Sequence, residues 1–177
     1  MKTVSWLLAL LALVTFGNLA GAQAPAKPKD TNSLVGEVAP DFAVQTLDGK
    51  AAKLSDQKGK VVLIDMWATW CPPCRKSLPH VQEVSENKKL ADQGLVVWAV
   101  NAREKPEVVT KFLTDNKYTF TVPMDNDGKI GSAYLVRGIP TTVIIGKDGK
   151  VKAAFIGFGP DTAKAVDAAV EQALAEK

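Results

Sequence analysis

Val61-Val62-Leu63-Ile64-Asp65-Met66-Trp67-Ala68-Thr69-Trp70-Cys71-Pro72-Pro73-Cys74-Arg75 is an apolar run that opens onto a pair of cysteines. Residues 61–67 are short and nearly continuously apolar, the pattern of a central strand covered on both faces. A helix is expected from about Pro72 to Leu90. Cys71 and Cys74 are the only cysteines of the chain. Thiols at this separation can close a four-residue disulfide ring and open it again by exchange. A purely structural staple is the alternative, but closing so short a loop removes little entropy from the unfolded chain.

Working outward, strands and helices alternate. Leu95 to Val100 repeats the buried-strand pattern, and Pro106 opens a helix with Val108, Val109, Phe112 and Leu113 at helical spacing. Thr142 to Ile145 and Val151 to Ile156 flank Lys147-Asp148-Gly149-Lys150, a hairpin turn signal. Asp161-Thr162 is expected to cap a last helix with Ala165, Val166, Ala169, Val170 and Leu174 on one face. The order predicts a mixed sheet between helices. Strand, CxxC and helix in a βαβ context is a thioredoxin-like redox signature.

The front of the chain reads as an address. Lys2 is a short basic start, residues 6–16 are mainly Leu, Ala and Val, and Ala20-Gly21-Ala22 fits a small-x-small cleavage pattern. Residues 1–22 are therefore read as a signal peptide, with an uncleaved N-terminal anchor as the alternative. The polar, proline-bearing residues 23–33 are read as a flexible leader, leaving residues 34–177 as one domain. Removing Lys2 takes the formal charge from +3 to +2. Basic and acidic residues are interspersed, which excludes a nucleic-acid footprint. In an oxidising compartment paired cysteines are expected to form a disulfide.

Asp65-Met66-Trp67-Ala68-Thr69-Trp70-Cys71-Pro72-Pro73-Cys74 resembles the thioredoxin active-site segment, with Pro79 matching the proline that kinks that family's first helix. Arg137-Gly138-Ile139-Pro140-Thr141 resembles its cis-proline loop. Gly36 to Phe42 with Leu47-Asp48-Gly49-Lys50, and Pro123 to Lys129, resemble segments of the TlpA/ResA-type thiol-disulfide oxidoreductases. The resemblance runs from about Gly36 to Phe158. It implies a thioredoxin-like α/β fold, a central mixed β-sheet flanked by helices, with an N-terminal β-hairpin extension.

Exchange requires a thiolate, and Cys71 falls where a helix start favours negative charge. Cys71 is therefore the expected nucleophile, and Cys74, one turn inward, the resolving thiol. Pro72 and Pro73 lack N–H groups, so two donors to the Cys71 sulfur are missing. A weakly stabilised thiolate means a reducing couple, nearer about −270 mV than about −120 mV. Ile139 before Pro140 resembles the residue of reducing thioredoxins.

Asp65 is costly to bury charged and is expected to carry a raised pKa; an acid at a frayed strand end is the alternative. The resemblance implies a proton acceptor for Cys74. Two departures from the family pattern bear on that route: Ala99 stands where thioredoxin has a lysine, and Ser77 where ResA-type enzymes have a glutamate. The resemblance also implies a cis bond before Pro140, beside which a substrate chain could pair as an added strand. Trp70, Ile139 and Gly157-Phe158 are expected to form an apolar apron around the sulfur. Arg75 is expected either to ease approach of an anionic thiolate or to be a solvated helix charge. Trp67 and Trp98 are read as core, and His80 as a helix-surface residue.

The function expected is an exported, periplasmic, monomeric oxidoreductase that reduces protein disulfides, with no bound cofactor beyond the dithiol. By resemblance a membrane thiol carrier re-reduces it. Apocytochrome c haem-site thiols, copper-assembly proteins and general disulfide repair are the candidate substrates. A Cu(I) carrier is the rival, since two thiolates hold soft Cu(I), but related carriers use CxxxC with a distant histidine. A four-ligand zinc site lacks a second cluster. A thiol peroxidase is the third reading; Ala68 stands where peroxiredoxins place threonine or serine.

Overall fold

The computed structural model describes residues 29–176. Residues 1–22, read as a signal peptide, and residues 23–28 of the stretch read as a leader lie outside the described residues. Thr31–Leu34 forms a 3-10 turn capped by the Asp30 side chain, with Thr31 buried, so the packed unit begins inside the stretch read as leader. No helix among the described residues is long and apolar enough to cross a membrane.

Strands β1 (Ala43–Gln45) and β2 (Ala51–Lys53) pair antiparallel as a separate hairpin. Gly49, at φ 81°, completes the turn between them, a left-handed conformation that favours glycine. The main sheet contains β3 (Val61–Trp67), β4 (Leu95–Ala102), β5 (Met124–Asp125), β6 (Thr141–Ile145) and β7 (Val151–Ile156), in the order β5-β4-β3-β6-β7. β3 runs parallel to β4 and antiparallel to β6, which makes the sheet mixed. All seven residues of β3 are buried, as its apolar run requires.

Successive side chains of β3 point to opposite faces. Val61, Leu63 and Trp67 pack under α1 (Pro72–Glu86), α3 (Pro106–Asn116) and α5 (Pro160–Ala175). Val62, Ile64 and Met66 pack against Ala39, the hairpin and α4 (Lys129–Ala133). Leu78 on α1 is fully buried, and Leu78→Ala would cost about 2–5 kcal/mol.

The helix expected over 72–90 is split. Asn87 ends α1 and accepts from the Leu90 N–H at 3.3 Å, capping α2 (Lys88–Asp92). A good N-cap residue offers the backbone an alternative to continuing one helix. In α5, Gly159 rather than Asp161 is the N-cap, because Pro160 occupies N1. Its buried face is Val166, Val170, Ala173 and Leu174; Ala165 is exposed.

Candidate active site

Cys71 is the N-cap of α1, and Cys74 begins its second half-turn. Their sulfurs are joined, with Cα atoms 5.3 Å apart. Prolines are tolerated at N1 and N2, where an N–H would lack an intrahelical partner. The Cys71 sulfur therefore receives one backbone donor from the first turn, the Cys74 N–H at 3.2 Å. Pro79 sits inside α1.

The Ile139–Pro140 bond is cis. This loop places the Ile139 carbonyl oxygen 3.6 Å from the Cys71 sulfur. Gly157, just past β7, donates its N–H to the Pro140 carbonyl at 2.8 Å and ties the loop to the sheet. Trp70 is 65% exposed beside this contact, whereas Ile139 is half-buried. Cys71 itself is only 3% exposed and Cys74 0%. The two sulfurs therefore differ little in access in the disulfide state: both lie in one apolar cluster, and the loop carbonyl also covers Cys71.

Asp65 is fully buried on β3, on the face roofed by α1. Its ladder neighbours are Ala99 on β4 and Thr142 on β6. Burial pushes its carboxyl up to about 7, and a hydrogen bond from the Thr142 hydroxyl partly opposes that rise. The reading of an acid at a frayed end fails: Asp65 sits inside a seven-residue strand. Ser77 is buried and donates to the Cys74 carbonyl at 2.9 Å.

One residue near the site escaped sequence reasoning. Glu104 accepts from the Thr69 N–H at 2.7 Å, from the Thr69 hydroxyl, and from Asn101 Nδ2 at 2.8 Å. It thereby holds the turn that delivers Cys71. Its signal was topological: parallel β3 and β4 end side by side, and ligand and site residues gather beyond such carboxyl ends. Arg75 is neither free nor simply solvated. Its Nε donates to the Thr69 carbonyl at 2.7 Å and its guanidinium lies 5.5 Å over the Phe112 ring.

Phe158 stacks obliquely on His80 at 6.1 Å, and His80 Nε2 is 2.9 Å from Asp167 on α5. His80 therefore links α1 to α5 rather than standing on an open surface. Trp67 and Trp98 are core residues. Among the described residues no three His, Cys, Asp or Glu side chains converge as a metal site.

A model of the AhpC/TSA family matches residues 35–154. The thiol-disulfide oxidoreductase ResA of Geobacillus thermodenitrificans is 35% identical over 159 residues, covering 89% of this chain and 86% of the relative. ResA of Bacillus cereus is 38% identical over 123 residues, 70% of each chain. Among solved structures, a Chlorobium tepidum protein described as a thiol:disulfide interchange protein DsbE superposes with a TM-score of 0.71 at 39% identity, covering 77% of this chain and 95% of that one. With a buried CxxC pair at a helix N-terminus facing a cis-proline loop, the chain belongs to the ResA-type thiol-disulfide oxidoreductases of the thioredoxin superfamily, within the AhpC/TSA family.

Proposed function

We propose that this thiol-disulfide oxidoreductase is an exported, periplasmic reductant of protein disulfides. The observation that carries the direction is the single N–H, from Cys74, available to the Cys71 sulfur in a helix start occupied by two prolines. A poorly stabilised thiolate favours the disulfide form of the enzyme and hence donation of electrons.

In the forward reaction the Cys71 thiolate attacks one sulfur of a substrate disulfide. A mixed disulfide forms, and the other substrate sulfur leaves as a thiolate that takes a proton. Cys74 then loses its proton, with Asp65 as acceptor, and attacks the Cys71 sulfur. The second substrate thiol departs and the Cys71–Cys74 bond forms, so two electrons pass to the substrate. A dithiol donor, by resemblance a membrane thiol carrier, reverses that bond. The dithiol is the only redox centre required. Trp70, Ile139 and Pro140 shape the substrate groove, where an extended chain can pair with the loop backbone.

Residues 1–22 act as the export signal, and the mature protein works as a monomer. Apocytochrome c maturation and copper-site assembly are the biogenesis routes that need such a reductant. Redox titration against glutathione tests the direction: a potential near about −270 mV is expected, and a value above about −180 mV would reverse it.

A further inference from the structure

Beside Cys71 lies a groove of about 500 Å³ with an asymmetric chemical character. Trp70, Val136 and Ile139 supply apolar surface, while Arg103 and Arg137 stand at its edges. Both arginines are exposed, and neither has a carboxylate within ion-pair distance among the described residues. The one described contact of Arg137 is a long 3.4 Å bond from Nη2 to the Lys29 carbonyl. Arg103 lies across Gly128, where any Cβ would overlap its guanidinium.

Acids close by are already engaged. Asp125 lines the groove, but it is buried and its two oxygens accept from the Ile130 N–H at 3.1 Å and the Gly131 N–H at 2.9 Å. Glu104, next to Arg103, turns its oxygens to Thr69 and Asn101. In the stretch read as leader, residues 23–28 contain Lys27 and no acid, and Asp30 accepts from the Asn32 N–H at 3.0 Å as the cap of its own turn.

We propose that this groove docks an acidic, extended segment of the substrate polypeptide, with Asp or Glu side chains within a few residues of the disulfide under attack. The proposal rests on the reading of Cys71 as the attacking thiol and adds the charge class of its substrate. Two exposed cations at a rim act mainly on encounter rate and partner choice, and salt screens them. Apolar contact with Trp70 and Ile139 would hold the chain while the charges select it.

The test uses the reduced protein and three synthetic peptide disulfides of one sequence, carrying Glu, Gln or Lys at the positions flanking the cysteines. Second-order exchange rates are read from tryptophan fluorescence at low and high salt, with 2-hydroxyethyl disulfide, a linear uncharged disulfide, as the reference. The Glu peptide is expected to react about three- to tenfold faster than the Gln peptide at low salt, converging at high salt. The double charge reversal Arg103→Glu with Arg137→Glu is expected to favour the Lys peptide, an inversion that an unfolded protein cannot produce. Equal rates for the three peptides, or an order unchanged by the reversal, would overturn the docking proposal while leaving exchange at Cys71 standing. Failure to exchange with 2-hydroxyethyl disulfide and every peptide would instead overturn the underlying assignment of Cys71, and the proposal with it.

Discussion

Thr142 Oγ1 donates a 2.8 Å hydrogen bond to Asp65 Oδ1 across the β3–β6 ladder, where the two residues are direct partners. The other carboxyl oxygen, Oδ2, has no hydrogen-bond partner among the described residues. Asp65 is therefore a buried acid with half its capacity satisfied, and its pKa near neutrality suits a group that accepts and returns one proton. Thr142 occupies a position from which it can tune that pKa without carrying charge.

The stability consequence of Asp65 has a definite sign. Burial raises its folded value from 3.8 to about 7, so the folded protein holds the proton more tightly than the unfolded chain. That contribution is complete below about pH 4 and is lost as pH rises through about 7. The full difference corresponds to roughly 4 kcal/mol. Asp65→Asn removes the loss, so the stability of the variant relative to wild type is expected to rise by several kcal/mol between pH 4.5 and pH 8. Urea unfolding at the two pH values measures it; a difference independent of pH would contradict the assignment.

Thr142→Val keeps the side-chain volume but deletes the hydroxyl that opposes the rise. The Asp65 pKa should move above its present value of about 7. If Asp65 accepts the Cys74 proton, the pH profile of the resolving step shifts to higher pH. Single-turnover release of a pre-formed mixed disulfide reads this directly. A profile identical to wild type would remove Asp65 from that step.

Glu104→Gln tests the brace behind Cys71. The carboxylate accepts from both Thr69 groups and from Asn101 Nδ2, and an amide NH₂ in its place sets donor against donor. A loss of about 1–3 kcal/mol is expected from the donor left unpaired. Hydrogen exchange at the Thr69 amide should quicken as well. Wild-type protection at Thr69 would show that the turn holds without Glu104.

Pro73→Ala restores an N–H at N2 of α1, next to the one donor already serving Cys71. One additional hydrogen bond to a charged thiolate is worth about 1.5–3 kcal/mol, which is roughly 30–65 mV in a two-electron couple. The potential is expected to become less negative by that amount, with the Cys71 pKa falling in parallel. Redox titration and pH-dependent thiolate absorbance check the two together.

Much of this arrangement could be read from residues alone because its signals are local. The β3 run, the CxxC step into α1 and the Lys147–Lys150 turn each carry their pattern within a few positions. Other features depend on partners distant in sequence. Glu104 meets Thr69 only because parallel strands end together, and Thr142 meets Asp65 only through antiparallel pairing of β6 with β3. β5, with two residues, and α4, with five, are too short for any periodicity to register. The break at Asn87 lay hidden because residues 72–90 keep an unbroken helical appearance unless Asn87 is weighed as a cap.

The central claim is that Cys71 captures the partner and Cys74 releases it. Trapping measures this most directly: Cys74→Ala and Cys71→Ala variants are each incubated with a disulfide-bonded protein substrate and resolved under non-reducing conditions. The account predicts a stable mixed disulfide through Cys71 in the Cys74→Ala protein and little or none in the Cys71→Ala protein. Accumulation through Cys74 instead, or no covalent complex with either variant while wild type still exchanges, would contradict it.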